Sequence, residues 1–284
     1  MNNASGLFAG RTAIIATKHL KERVIQPVLE ERLSVHCFIP QDYDTDAWGT
    51  FCGSIARKED PISTLRQKTL TAMDQYGMDL GVGSEGSFGP HPEAFFLPID
   101  EEWLILIDKK NNLEIIAKHV STCTNFGHSV CVSEAEVKEF AQRSGFPEHA
   151  LIAKISENSA STLAKGLQDW QALLQLSLET IQRHGQVHLE TDMRACYNPK
   201  RMSVIAEATQ KFVEKILRAC PKCAALGFDI TRAIPGLPCT YCGIPTKSTK
   251  AYLMECLHCH HQETIDFPHN KTTENPMYCD YCNP

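Results

Sequence analysis

The segments CPKC (220–223), CTYC (239–242), CLHC (256–259) and CDYC (279–282) decide how the end of this chain folds. Two thiolates separated by two residues can bind one metal ion from a tight turn, and two such turns complete a tetrahedral four-thiolate site. Four pairs in one region are a far more specific pattern than a single Cys-x-x-Cys. The sequence therefore predicts a small double zinc-ribbon domain over residues 220–284 that holds two structural zinc ions.

The predicted zinc ligands form one set, whichever pairs share an ion. They are Cys220, Cys223, Cys239, Cys242, Cys256, Cys259, Cys279 and Cys282. Sequential pairing, the first pair with the second and the third with the fourth, is favoured over nested pairing, its main rival. An iron centre on the same thiolates and a disulfide framework are the competing interpretations. The disulfide framework fits poorly, because thiols stay reduced in the cytoplasm where we expect this protein.

Composition indicates an ordinary globular protein of 284 residues, 43% hydrophobic and 22% charged. The start, MNNASGLFAGR, lacks the features of a secretory signal, and no stretch approaches the roughly 20 apolar residues of a membrane span. We therefore expect a cytoplasmic protein with no membrane contact.

Charge argues against a nucleic-acid partner. The net charge is −6, and residues 220–284 carry five basic and six acidic side chains, whereas phosphate binding needs clustered Lys and Arg. The zinc module fits a role in packing, homodimer formation or contact with a protein partner.

Residues 1–219 have the pattern of an α/β domain, a mixed twisted sheet flanked by helices. The predicted strands are TAIIAT (12–17), VHCFIP (35–40), WLILID (103–108) and LEIIAKHV (113–120), the last two as a hairpin. Pro61 begins a helix that Gly77 ends, and Ser133 with Glu136 forms a capping box. Two further helices follow from the apolar faces of residues 170–181 and 202–219.

Three polar segments of this domain are candidate sites. The turn after the first strand carries Thr17, Lys18 and Lys21 beside a helix N-terminus, a natural anion site. The segment DTDAWGTFCGSIARKEDPISTLRQK (44–68) contains Asp46 and ends in Arg66 and Lys68 on a helix. SEGSFGPHP (84–92) places Glu85 in a predicted glycine-rich loop. The alternative roles are a solvated helix face for the lysines, a backbone cap for Glu85 and a simple turn for Asp46.

The order of these segments resembles the inosine/xanthosine triphosphate pyrophosphatase fold over roughly residues 12–219. The resemblance lies in the strand, the Thr-x-x-x-Lys turn, the Gly-Thr-Phe segment with its basic helix and the acidic loop, and continues through GQVHLETDMRACYNPKRMSVIAEA (185–208). The first turn, ATKHLKE, lacks the family's Asn, and SEGS replaces a pair of adjacent Asp residues. The whole chain also resembles an uncharacterised bacterial family with the same eight-cysteine module, through ATKHLKERVI, SEGSFGPHP, HLETDMRACYNPKRM and CDYCNP.

The pyrophosphatase resemblance implies a hydrolase that converts a nucleoside triphosphate to monophosphate and pyrophosphate with Mg²⁺. It implies that Glu85 binds the metal with help from Asp46. Phosphate contacts would come from Thr17, Lys18, Lys21, Arg66 and Lys68, and Arg194 would face the base or a phosphate. We therefore expect Glu85, Lys21 and Arg66 in one cleft, and little loss of stability when Glu85 is replaced. The alternative is a non-enzymatic scaffold that binds a nucleotide or a protein.

Overall fold

The computed structural model of the chain describes residues 5–43, 60–92, 94–157, 159 and 162–284. The chain forms two compact units, a larger one over Phe8–Val213 and a smaller one that contains Glu214–Pro284. Their boundary lies a little before the one that the sequence predicts after residue 219. Among the helices of the described residues, none is long and apolar enough to cross a membrane.

The structure is mixed α/β, as the sequence predicts. Its helices are α1 (Glu22–Leu33), α2 (Pro61–Gln75), α3 (Glu134–Ser144), α4 (Trp170–His184) and α5 (Pro199–Leu217). The strands of the larger unit are β1 (Thr12–Ala16), β2 (His36–Phe38), β3 (Leu80–Pro90), β4 (Pro98–Asp108), β5 (Leu113–Ser121), β6 (His128–Cys131), β7 (Leu151–Lys154), β8 (Thr162–Leu167) and β9 (Val187–Thr191). The smaller unit adds β10 (Asp229–Pro235), β11 (Thr249–Glu255) and β12 (Gln262–Asp266).

The first sheet has the strand order β2-β1-β3-β4-β5. Strand β1 pairs parallel with both β2 and β3, whereas β3, β4 and β5 form an antiparallel meander. Because the chain passes from β1 to β2 on one side and returns to β3 on the other, the strand order reverses at β1. Open α/β sheets bind ligands in the crevice at the carboxyl ends of the strands beside such a reversal. In this protein the crevice lies beyond Ala16 of β1 and Gly83 of β3, which pair with each other.

Helix α2 packs closely on β3, and glycines make this possible. The helix begins at Pro61, as predicted, and the Asp60 carboxylate caps it by accepting the N–H groups of Ile62 and Ser63. A Cβ atom at Gly83 would lie 2.1 Å from Thr69 Oγ1 of α2. The predicted glycine-rich loop is wrong, because residues 84–90 continue β3 opposite β4.

The second sheet, in the order β6-β9-β7-β8, is fully antiparallel and was not predicted from the sequence. One of its faces packs on the two predicted helices α3 and α4, in a core whose members include Val137, Phe140, Leu173, Val187 and Leu189. The predicted N-cap of α3 is confirmed, since Ser133 Oγ accepts the Glu136 N–H at 3.4 Å, but the Glu136 carboxylate accepts the N–H of Val132 and not that of Ser133. The strands were missed because each has only four to six residues, too few for a clear alternation.

The close approach of α2 to β3 leads to a stability prediction. In Gly83→Ala the new methyl group would press on Thr69 Oγ1 at 2.1 Å and on Leu65 Cδ1 at 3.0 Å. Overpacking of this kind costs about 1–3 kcal/mol. Gly89→Ala is the matched control in the same strand, because nothing lies within 4 Å of its added Cβ. Urea unfolding should show a lower free energy of unfolding for Gly83→Ala only, and equal values for both variants would contradict the packing.

Candidate functional site

The four cysteine pairs lie at alternate ends of a three-stranded meander, β10-β11-β12. The first pair precedes β10, the second lies between β10 and β11, the third between β11 and β12, and the fourth follows β12. Adjacent strands run antiparallel, so each passage along a strand moves the chain to the opposite end of the sheet. The first and third pairs therefore meet at one end, and the second and fourth meet at the other.

Both meeting points bring four sulfurs together at metal-site spacing. One quartet is Cys220, Cys223, Cys256 and Cys259, and the other is Cys239, Cys242, Cys279 and Cys282. The Sγ–Sγ distance is 3.7 Å for Cys220–Cys259 and 3.6 Å for Cys223–Cys256. It is 3.8 Å for Cys239–Cys282 and 3.7 Å for Cys242–Cys279. A tetrahedron with Zn–S bonds of about 2.3 Å has edges of about 3.8 Å, so each quartet could hold a zinc ion.

The expected pairing is corrected by this arrangement. The sequence favoured sequential pairing with nested pairing as its rival, and both are wrong, because the quartets are interleaved. The spacing of the cysteines fixes only which residues form a tight turn. The antiparallel strand order decides which turns are neighbours, and these strands were not predicted.

The cysteine turns share one backbone geometry. In three of them the residue after the second cysteine has positive φ, namely Ala224 (60°), Gly243 (72°) and His260 (57°). Its N–H donates to the carbonyl of the first cysteine, at 2.8, 3.0 and 2.8 Å respectively. Such turns aim N–H groups at the sulfurs, and the N–H groups of Cys242 and Tyr241 lower the pKa of Cys239 to about 7 against the effect of burial. The turn thus favours at Cys239 the thiolate form, which is the form that binds metal. The pKa values of the second cysteines Cys223 and Cys282 are instead raised beside the other thiols.

In the larger unit, charged side chains converge at the crevice beside β1 and β3. The Lys68 ammonium donates to the Glu85 carboxylate and to the Ser84 carbonyl oxygen. Thr17 Oγ1, just after β1, lies 3.5 Å from Ser84 Oγ on β3. Lys21 lies close enough to both Lys68 and Glu85 for their charges to alter its pKa. Residues separated by more than sixty positions are therefore neighbours here.

Glu102 of β4 is the centre of this convergence. Its Oε2 lies 3.6 Å from Lys21 Nζ, and its Oε1 accepts a hydrogen bond from Arg201 Nε at 2.7 Å. All three residues are at least 95% buried. Burial lowers the pKa of Lys21 to about 8, although the charge of Glu102 opposes this shift. Buried charges of this kind are tolerated only when they are paired.

Asp100, two residues before Glu102 on β4, is also fully buried. Neither carboxylate oxygen has a hydrogen-bond partner within the described residues. Burial and the charge of Glu102 raise the pKa of Asp100 to about 8, while Arg201 and Lys21 act in the opposite direction. Asp100 is therefore mostly protonated at neutral pH, and its proton can be shared with the neighbouring Glu102 carboxylate.

We name Lys21, Lys68, Glu85, Asp100, Glu102 and Arg201 the polar cluster. With Asp100 neutral, three cationic side chains stand against two carboxylates, so the polar cluster has a net charge of +1 at neutral pH. A cationic crevice with buried carboxylates suits a phosphorylated ligand, because anions gain from the excess charge in a poorly solvated site.

The predicted residues fall into three groups. Thr17, Lys21, Lys68 and Glu85 come together, and Lys18 directly follows Thr17, whose hydroxyl donates to the Lys18 carbonyl. Arg66 does not share the Glu85 cleft, which corrects the expectation, since its guanidinium binds Glu114 of β5 at 2.7 and 2.9 Å. Arg194 binds the buried Asp192 at 2.6 Å and lies 4.4 Å from the Tyr197 ring centroid. Asp46 lies outside the described residues.

Sequence reasoning missed three members of the polar cluster: Asp100, Glu102 and Arg201. The signal for the first two was the alternation of acids in PIDEEW, where residues two apart share one face of a strand. No local signal marks Arg201, because its partner Glu102 is 99 positions away.

The burial of Glu85 also overturns the expectation that its replacement hardly affects stability. Its side chain is 12% exposed and that of its partner Lys68 only 4%. Removing one charge of a buried pair leaves the other unpaired, which costs on the order of 3 kcal/mol. Any activity test on Glu85 therefore needs a parallel measurement of folding.

A comparison with protein families finds one match, to the family described as "Domain of unknown function (DUF6671)", over residues 68–284. The chain belongs to this family. The DUF6671 region contains all eight cysteines of the two quartets and every member of the polar cluster except Lys21, which precedes it. No curated protein matches the chain significantly. Family membership therefore assigns no activity, and the geometry of the two sites carries the functional argument.

The interleaved quartets predict which double variants lose one zinc ion and which lose two. Cys220→Ser with Cys256→Ser removes two ligands from one quartet, so one zinc ion should remain per chain. Cys220→Ser with Cys239→Ser damages both quartets and should leave none. Zinc is measured after dialysis against a chelator that spares the wild-type protein, which should keep about two ions. Cys123→Ser, at an exposed cysteine outside the quartets, is the control and should keep both. Sequential pairing would reverse the two double-variant results.

The raised pKa of Asp100 predicts a pH-dependent stability. A carboxyl group with a folded-state pKa of about 8 against 3.8 contributes stability below about pH 4 that is lost as pH rises toward 8. In Asp100→Asn this loss of stability with rising pH is absent, because the amide does not ionise. The amide N–H group can also donate a hydrogen bond to the Glu102 carboxylate. Its free energy of unfolding should exceed that of wild type by more than about 1 kcal/mol at pH 8.5. The difference should shrink toward pH 5.

Chemical denaturation at pH 5, 6.5 and 8.5 measures this difference. Asp74→Asn, at an exposed carboxylate paired with Lys109, is the matched control and should follow the wild-type profile. If Asp100→Asn also ran parallel to wild type, the folded-state pKa of Asp100 would not be raised.

Proposed function

We propose first that this chain is a zinc protein with two structural four-cysteine sites. The observation that carries this is the set of four Sγ–Sγ distances between 3.6 and 3.8 Å, two in each quartet. These distances match the sulfur–sulfur edge of a tetrahedral four-thiolate zinc site. The first cysteine of every pair is at least 97% buried, and all four positions of each site are thiolates. Such a site leaves no position for a substrate, so its contribution is folding free energy. Reduced thiols are required, in keeping with the expected cytoplasmic location.

We propose second that the larger unit binds a nucleoside triphosphate at the crevice and hydrolyses it to monophosphate and pyrophosphate. The observation that favours this is the meeting of Lys21, Lys68 and Glu85 beside β1 and β3. The net charge of +1 of the polar cluster suits a phosphate chain. In this proposal Lys21 and Lys68 stabilise the negative charge that develops on the phosphates, the type of interaction that dominates phosphoryl transfer.

The Mg²⁺ ion that the pyrophosphatase resemblance implies needs oxygen ligands. The described residues do not supply such a set of ligands, because only the two cysteine quartets bring three or more ligand atoms together. Glu85 lies opposite Trp103, whereas Glu102 lies opposite Gly86, so the two carboxylates are on opposite faces of the strand pair. No protein site for Mg²⁺ is therefore assigned.

A pyrophosphate-release assay tests the hydrolase proposal. Wild-type protein with Mg²⁺ should release pyrophosphate from a purine nucleoside triphosphate. Glu85→Gln and Lys21→Gln should each lower the rate by about a hundredfold or more, because each removes a charge at the proposed phosphate site. Glu114→Gln is the matched control, since Glu114 forms a Glu–cation pair in the same sheet but on the exposed surface, and it should keep full activity.

Thermal melting of every variant distinguishes a loss of catalytic activity from a loss of folding. If no common or deaminated triphosphate yields pyrophosphate with Mg²⁺ or Mn²⁺, the hydrolase proposal fails. Nucleotide binding without turnover would then favour the alternative, a binding scaffold with a structural zinc module.

A further inference from the structure

The second sheet of the larger unit has a face that the proposed hydrolysis does not use. Leu189 and Val187 of β9 face the core with α3 and α4. The alternate residues His188 and Glu190 face the other way, as the two-residue period of a strand requires. Together with Lys154 of β7 they line a cavity of about 330 Å³.

Both cations that line this cavity already bind carboxylates, and Glu157 adds a third carboxylate to the lining. Lys154 Nζ donates to Glu190 Oε1 at 2.7 Å, and Arg194 binds Asp192 through two nitrogens. Fixed cations that already hold carboxylates offer little attraction to a phosphate. The cavity therefore suits an uncharged ligand with polar edges, in contrast to the cationic polar cluster.

His188 provides a specific polar group for such a ligand. It is fully buried, and its Nε2 lies 3.0 Å from Glu190 Oε1. A carboxylate only accepts hydrogen bonds, so Nε2 carries the proton and Nδ1 is an acceptor in the neutral imidazole. Nδ1 has no hydrogen-bond partner within the described residues. Buried acceptors are normally satisfied, so this one calls for a donor N–H or O–H from outside the protein.

The walls of the cavity favour a flat ring. Phe88 and Phe126 stack at 5.7 Å between ring centroids with an interplanar angle of 25°. The His128 ring lies 5.3 Å from that of His188. Aromatic side chains bind nucleobases by stacking on their faces. A volume of about 330 Å³ is at the low end for ligand sites, which suits a base with its sugar better than a dinucleotide.

The cavity also adjoins the polar cluster. Phe88 of β3 lies directly opposite Asp100 of β4 and on the same face of the sheet as Glu102. Its ring contacts the Arg201 guanidinium at 4.9 Å, and Arg201 binds both Glu102 and the carbonyl of the cavity residue Met193. A ligand with a flat ring in the cavity can therefore extend its other end to the polar cluster.

We propose that this cavity binds the uncharged base of a nucleoside, with His188 Nδ1 accepting a hydrogen bond from an N–H of the base and Phe126 contacting its face. The choice of a nucleobase among flat rings rests on the proposed nucleotide function. The geometry of the cavity does not depend on hydrolysis, so binding of a nucleoside without phosphates tests it separately.

Isothermal titration calorimetry of the full chain with inosine, guanosine, adenosine, uridine and cytidine is the test. At least one purine nucleoside should bind. Phe126→Ala, which removes a ring that is 38% exposed, should weaken binding about fivefold or more. Phe126→Tyr should retain binding. His188→Phe keeps a planar ring but removes the acceptor and should abolish detectable binding. His184→Phe, at an exposed histidine at the end of α4, is the matched control and should bind as wild type does.

The outcomes separate this proposal from the hydrolase proposal. Nucleoside binding that depends on Phe126 supports the base site even if no triphosphate is hydrolysed. If no nucleoside binds at millimolar concentration, the base site is overturned. It is also overturned if Phe126→Ala binds a nucleoside as tightly as wild type. If no nucleoside binds and Phe126→Ala still releases pyrophosphate at the wild-type rate, the base site is overturned while the hydrolase proposal stands. Phe126→Ala keeps the test valid should His188→Phe fail to fold.

Discussion

The buried ion pair between Arg201 and Glu102 is the interaction on which the larger unit depends. Arg201 is 1% exposed, and a guanidinium at that depth must be paired. Its Nε binds Glu102 on β4, and another nitrogen binds the Met193 carbonyl after β9. One side chain of α5 thus joins the first sheet to the end of the second. A Cβ at Gly86 would lie 2.2 Å from this guanidinium, so the neighbouring strand needs glycine there.

The same pair determines the electrostatics of the crevice. Arg201 and Lys21 both pair with Glu102. Burial and the Glu102 carboxylate raise the pKa of the neighbouring Asp100, while Arg201 and Lys21 oppose this shift. Burial lowers the pKa of Lys21, which weakens its hold on its proton without removing it at neutral pH. The polar cluster is therefore a set of coupled charges with one cation in excess. A phosphorylated ligand would supply the missing negative charge. Its binding would therefore be expected to stabilise the larger unit against unfolding.

The smaller unit depends on a different constraint. Its three strands are short and β12 is exposed along its length, so apolar burial is small. Its large buried apolar side chains include Phe228, Leu237, Leu253 and Met254, beside the buried cysteines. A metal ion bound at each quartet would add folding free energy to a domain with so small a core. One quartet at each end of the meander would fix both ends of every strand, which explains why two ions serve so short a segment.

The sequence by itself determined the eight cysteines of the quartets, the mixed α/β class, the start of α2 and the N-cap of α3. The turns and caps depend on local chemistry, since a tight turn or a helix cap involves residues only a few positions apart. Only the tertiary structure decided the interleaved quartets, the partner of Arg66 and the membership of Asp100, Glu102 and Arg201 in the polar cluster. Each of these depends on which strands lie side by side. Strand order is set by packing between segments up to 99 positions apart, and no local pattern records it.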